Sequence, residues 1–137
     1  MPEQEVENEQ LTPEQMTQKK WGDLILGGGK TGFTIVPDAL LRHQGSMKIS
    51  PSEMVVLLNL VAFWWFSDKP PFPGNETLAR RIGFNKRTVQ RAVLGLKKKG
   101  LIEVTTTKKQ QSDGGYLSRR EIDFSPLRRR LETLEGV

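Results

Sequence analysis

Apolar residues are sparse over residues 1–18, where Glu and Gln dominate. Such a stretch cannot bury enough surface to offset the entropy of ordering it, so it is read as an acidic disordered tail with a transient turn near Leu11–Met16. Residues 19–137 are expected to form one domain. β-favouring residues at 24–26 and 33–36 flank a glycine cluster, which predicts an N-terminal hairpin over 22–37. Residues 37–44 predict a short helix stopped by Gly45, with His43 in a capping position near its end. Ser50-Pro51-Ser52-Glu53 then has the serine, proline and glutamate spacing of a capping box and starts a helix expected to run through Phe66.

That helix lacks the polar stripe of an amphipathic one, because from Met54 to Phe66 only Asn59 is polar. Thirteen such residues are too few to cross a bilayer, which needs about twenty. The helix must therefore be covered on nearly every side. Two coverings are open: Phe63, Trp64, Trp65 and Phe66 sit in a homodimer interface, or the run packs against the N-terminal hairpin and the C-terminal helix. Pro70, Pro71, Pro73 and Gly74 mark a loop.

Residues 75–99 meet the demands of two helices joined by a tight turn. Ala79 is small where the helices cross, and Gly83, four residues on, tolerates positive φ. Leu78, Ile82, Phe84, Val89, Ala92 and Val93 supply the inner faces, and Asn75 and Asn85 are candidate caps. After Gly100, Ile102, Val104 and Thr106 alternate with polar residues at strand period. A polar tip over 108–115 and a return strand over 116–123 complete a wing over 101–124. A last helix over 125–135, capped by Ser125-Pro126, carries Leu127, Leu131 and Leu134 on one face, with Arg128, Arg129 and Arg130 largely off it.

Composition and charge sharpen this outline. The chain of 137 residues has no cysteine and one histidine. That excludes disulfides, thiolate metal sites and a thiol nucleophile, and it leaves no spare base for a triad. No carboxylate pair or metal-ligand cluster appears, so neither an enzyme nor a cofactor is expected. Gly27-Gly28-Gly29-Lys30-Thr31 resembles the end of a phosphate-binding loop, but that motif needs glycine where Leu24 stands and a helix where a strand is expected. The acidic start is no signal peptide, so a cytoplasmic protein without a membrane anchor is expected. The net charge of +5 divides into −3 over 1–20, zero over 21–71 and +8 over 72–137. Positive charge gathered in one half is the footprint of a nucleic-acid binder.

The segment at 75–94 resembles the helix-turn-helix of bacterial DNA-binding proteins. Leu96-Lys97-Lys98-Lys99-Gly100-Leu101-Ile102 is similar to the passage from recognition helix to wing in winged helix-turn-helix proteins, and Thr-Val-Gln-Arg-Ala-Val at 88–93 resembles their recognition-helix core. The likeness covers roughly 50–124. It implies a mainly α fold with a small β-wing (α+β), and double-stranded DNA as the partner. In such a motif the second helix enters the major groove. Arg87, Gln90 and Arg91, with Thr88, are the candidates for base reading, since Arg pairs with guanine and Gln with adenine. Thr77, Asn85, Lys86, Lys97, Lys108, Lys109, Arg119 and Arg120 are candidates for phosphate or wing contacts. The leading expectation is a dimeric transcriptional regulator at a roughly palindromic operator, acting at the bacterial nucleoid, with no small-molecule ligand evident. The alternative is a replication initiator or accessory protein of a plasmid or phage. A winged helix used for protein contact is disfavoured by the basic second helix.

Overall fold

A computed structural model describes residues 10–25, 32–64 and 73–137, with the side chains at 109 and 116–119 not described. The chain divides into two compact units, Met1–Ile35 and Val36–Val137.

The first unit departs from the sequence expectation. Helix α1, Pro13–Trp21, occupies the region read as tail. Its reason is local: Thr12 and Gln15 form a capping box, with Gln15 N donating to Thr12 Oγ1 at 3.1 Å and Thr12 N donating to Gln15 Oε1 at 2.8 Å. Gly22–Ile25 then form a 3-10 turn in place of the first hairpin strand, and the described residues 32–37 carry no strand. Gly32 N does donate to Leu24 O at 2.9 Å, so the two segments still meet. Trp21, Leu24, Phe33 and Ile35 stay exposed around a groove of about 790 Å³. The glycine cluster at 27–31 lies outside the described residues.

The second unit is built from α2 (Asp38–Arg42), α3 (Pro51–Ala62), α4 (Asn75–Ile82), α5 (Lys86–Lys98), β1 (Glu103–Gln110), β2 (Tyr116–Asp123) and α6 (Ser125–Glu135). It is a winged helix: helices around one core, with a two-stranded antiparallel sheet after the helix-turn-helix. Leu40, Val56, Leu57, Leu60, Leu78, Val89, Leu96, Leu101, Ile102 and Ile122 are fully buried in the core. The register pairs Val104 with Ile122, which sets one face of the sheet towards the core.

The start of α3 is fixed by its capping box, with Glu53 N donating to Ser50 Oγ at 3.2 Å and Ser50 N to Glu53 Oε1 at 2.8 Å. Its end comes at Ala62, four residues before the expected Phe66. Phe63 N and Trp64 N fall back on carbonyls three residues earlier, Leu60 O at 3.1 Å and Val61 O at 2.9 Å, which tightens and closes the helix. The expected cap of α6 also moves. Ser125 lies in its first turn, and the Asp123 carboxylate accepts from Ser125 N at 2.9 Å. The Ser125 hydrogen bonds, helped by Arg129 and Arg128, hold the Asp123 carboxyl below its ordinary value against a smaller effect of burial.

One polar cluster joins α3 to α5. The Glu53 carboxylate is buried, forms an ion pair with Lys99 just past α5, and lies over Gly95. Lys99 Nζ also donates to Lys48 O at 2.6 Å. That bond ties down a non-glycine residue held at a φ of 58°. A Cβ on Gly95 would overlap Glu53 Oε2. Burial pushes the Glu53 carboxyl up, but hydrogen bonds from Lys99 and Ser50 and the ammonium charge outweigh it and leave it below its ordinary value. The lowered folded value means that unfolded chain takes up the proton first. The cluster's contribution is complete above the ordinary glutamate value and is lost as pH falls through the folded one.

Gly95→Ala should therefore destabilise the fold by about 1–3 kcal/mol, the usual cost of overpacking, although alanine is the better helix former. In a Glu53→Ala background the same change should cost nothing or stabilise. Urea unfolding of the four proteins at neutral pH measures this, and repeating wild type and Glu53→Ala between about pH 5 and pH 3 should show stability falling as pH falls, less steeply in the variant.

Candidate nucleic-acid interface

The turn between α4 and α5 follows from two residues. Gly83 adopts φ 85° and ψ 20°, a left-handed conformation that costs a side-chain-bearing residue more. Its N–H and that of Phe84 both donate to Ala79 O, at 2.8 and 3.0 Å, which closes α4 and turns the chain. Asn85 then caps α5, accepting from Thr88 N at 2.8 Å and from Thr88 Oγ1 at 2.9 Å. Asn75 does not cap α4: Gly74 holds the cap position, and Asn75 stands at the first helical position.

Val89, Ala92, Val93 and Leu96 turn α5's inner face into the core. Its outward face carries Lys86, Arg87, Gln90, Arg91, Leu94, Lys97 and Lys98, all exposed. At 3.6 residues per turn, Arg87, Gln90, Arg91, Leu94 and Lys98 share an arc of about 100°, with Lys86 and Lys97 at its edge. At its edge Lys86 pairs with Glu76 of α4 at 3.5 Å. Arg80 and Arg81 of α4 are exposed as well, and the Arg81 guanidinium lies 5.0 Å from the centre of the Phe63 ring.

Residues 48–102 match the model of a family described as a helix-turn-helix domain. That stretch is similar to a helix-turn-helix domain. It begins just before α3, takes in the α4–turn–α5 pair and ends as the chain enters β1. No curated protein matches the chain.

Within the helix-turn-helix, the candidate residues fall into groups. Arg87, Gln90 and Arg91 come together on α5's outward face. Thr88 is half-buried, and its hydroxyl is spent on the Asn85 cap, so both residues shape the start of α5. Thr77 is exposed in the first turn of α4. Lys97 is exposed near the end of α5. Lys98 was missed by motif reading, although angular position along α5 places it beside Arg87. Lys99 was also passed over, and its charge serves the Glu53 cluster.

The wing groups its cations differently from expectation. The strands run on to Gln110 and restart at Tyr116, which shortens the tip to residues 111–115. Gln111 N donates to Gly115 O at 2.6 Å and Gly115 N to Asp113 Oδ1 at 2.9 Å, which folds the tip into a tight polar turn. Lys108 and Lys109 thus stand on β1, opposite Ser118 and Leu117. Side-chain alternation puts Lys108 and Arg120 on the sheet face of Val104 and Ile122.

The aromatic residues offered as a dimer surface have intramolecular work. Phe63 packs against the core, and Trp64, 38% exposed, stacks on Phe124 with ring centres 4.9 Å apart and planes at 21°. Phe124 leads into the C-terminal helix, so Trp64 is covered in part from within its own unit. Trp65 and Phe66 lie outside the described residues. Among the described residues, no helix is long and apolar enough to cross a membrane, and no group of His, Cys, Asp or Glu could hold a metal ion.

Asn85→Ala should lower stability by about 1 kcal/mol, the usual worth of an N-cap. The salt dependence of DNA binding should keep its slope. A uniform loss of affinity on every sequence would show that Asn85 contacts phosphate instead, since a neutral side chain leaves the slope unchanged in either case.

Proposed function

We propose that this protein reads double-stranded DNA sequence through the outward face of α5, as a transcriptional regulator. The observation that carries the reading is Arg87, Gln90 and Arg91, exposed together on a helix whose inner face is locked into the core. Arg donors fit guanine O6 and N7, and a Gln carboxamide fits adenine N6 and N7, in the groove wide enough to admit a helix. Lys86, Lys97 and Thr77 flank that face and suit phosphate oxygens, which position a protein without reading sequence. The excess positive charge of residues 72–137 supplies attraction that weakens with salt.

One helix-turn-helix contacts few base pairs, so we infer a homodimer on a roughly palindromic site, each copy placing one α5 in the groove. The role is binding rather than catalysis, and it belongs with DNA in the bacterial cytoplasm. The compact first unit, with its apolar groove, favours a second reading in which the same DNA contacts serve a replication protein of a plasmid or phage.

Selection of the full chain on a random duplex pool, followed by titration of the enriched duplex against salt, tests this. A palindrome with a steep negative salt slope supports the dimeric regulator, direct repeats favour the replication role, and no enrichment overturns base reading. On the enriched duplex, Arg87→Ala or Arg91→Ala should cost about 1–3 kcal/mol and relax preference at one base pair. Equal loss on all sequences would make that arginine a phosphate contact. Replacing Lys108 and Lys109 together should weaken binding on every sequence and flatten the salt slope. An unchanged slope would place the wing off the DNA.

A further inference from the structure

Of the outward positions on α5, Leu94 alone is apolar, and it is 48% exposed. A single exposed leucine is ordinary on a protein surface. Its place on this helix is not ordinary, for two reasons. First, it lies inside the arc of Arg87, Gln90, Arg91 and Lys98, between Gln90 and Arg87 in angle and one turn beyond Gln90. Second, it cannot roll inward. The phase of α5 is fixed by buried Val93 and Leu96 on either side and by Gly95 seated against the Glu53 carboxylate. An apolar side chain is therefore held permanently among cations.

We propose that Leu94 is a specificity-determining residue that contacts the C5-methyl group of a thymine. This rests on the proposal that α5 lies in the major groove. There, the thymine methyl is the one apolar feature that the base edges present. Guanine and adenine edges ask for donors and acceptors that leucine lacks, and phosphates ask for donors. Leu94 is seven residues from Arg87, about 10 Å along the helix, which places its thymine two to three base pairs from the one that Arg87 reads. The thymine thus stands at one flank of the half-site.

The test uses the full chain and the duplex enriched by selection, with each thymine replaced in turn by uracil, which lacks only the methyl group. At one flanking thymine, uracil should weaken wild-type binding about fourfold, the worth of one buried methyl. Leu94→Ala and Leu94→Gln should bind the thymine and uracil duplexes equally at that position and keep full sensitivity to guanine changes elsewhere. Both variants should unfold at the wild-type temperature, since an exposed side chain is replaced. Two results would overturn the inference while leaving base reading intact: no thymine enriched at the flank, or a uracil effect that persists in both variants. Failure to enrich any duplex would overturn base reading itself, and the inference with it.

Discussion

The Glu53 carboxylate sets the geometry on which the rest of the second unit depends. It completes the capping box at the start of α3, accepts the Lys99 ammonium, and covers Gly95 where α5 passes closest. An ionised carboxylate taken out of water is costly unless it is paired and hydrogen-bonded. Here Lys99 and Ser50 meet that need. A Cβ at Gly95 would overlap Glu53 Oε2, so with the carboxylate in its place α5 turns Gly95 towards α3. That rotational phase decides which residues the helix presents to solvent.

Everything distinctive about the outer surface follows from that phase. With Val89, Ala92, Val93 and Leu96 turned inward, Arg87, Gln90 and Arg91 must point outward together. The Gly83 turn and the Asn85 cap fix where the face begins. The basic residues that do not belong to this face have other tasks or other places. Lys99 holds the cluster, Arg81 covers Phe63, and Lys86 leans towards Glu76. A chain with many cations thus separates those that shape the fold from those left to meet a partner.

Much of this was legible in the sequence, where local chemistry is decisive. Ser50 and Glu53 announce α3, and Ala79, Gly83 and Asn85 announce the turn, because each position admits few residue types. The alternation from Ile102 onward announces the wing. What escaped notice depends on distance. Pairing of Glu53 with Lys99 joins residues 46 apart, so no window along the chain contains both. Ala62 ends α3 early although apolar residues continue, since stacking of Trp64 on Phe124 is a contact that periodicity does not encode. The wing tip is shorter than the polar run from Lys108 to Gln110 predicts, because cross-strand hydrogen bonding, not polarity, extends a strand. In the first unit, the pairing of Thr12 with Gln15 was present as a capping box, but the polar composition around it concealed the helix.

The central claim is that a rotationally fixed α5 reads base edges in the major groove. Methylation interference on the enriched duplex tests it most directly, since dimethyl sulfate marks guanine N7 in the major groove and adenine N3 in the minor groove. The account predicts interference at guanine N7, with one guanine becoming silent in Arg87→Ala and another in Arg91→Ala. Interference confined to adenine N3, or a guanine pattern unchanged in both variants, would contradict it.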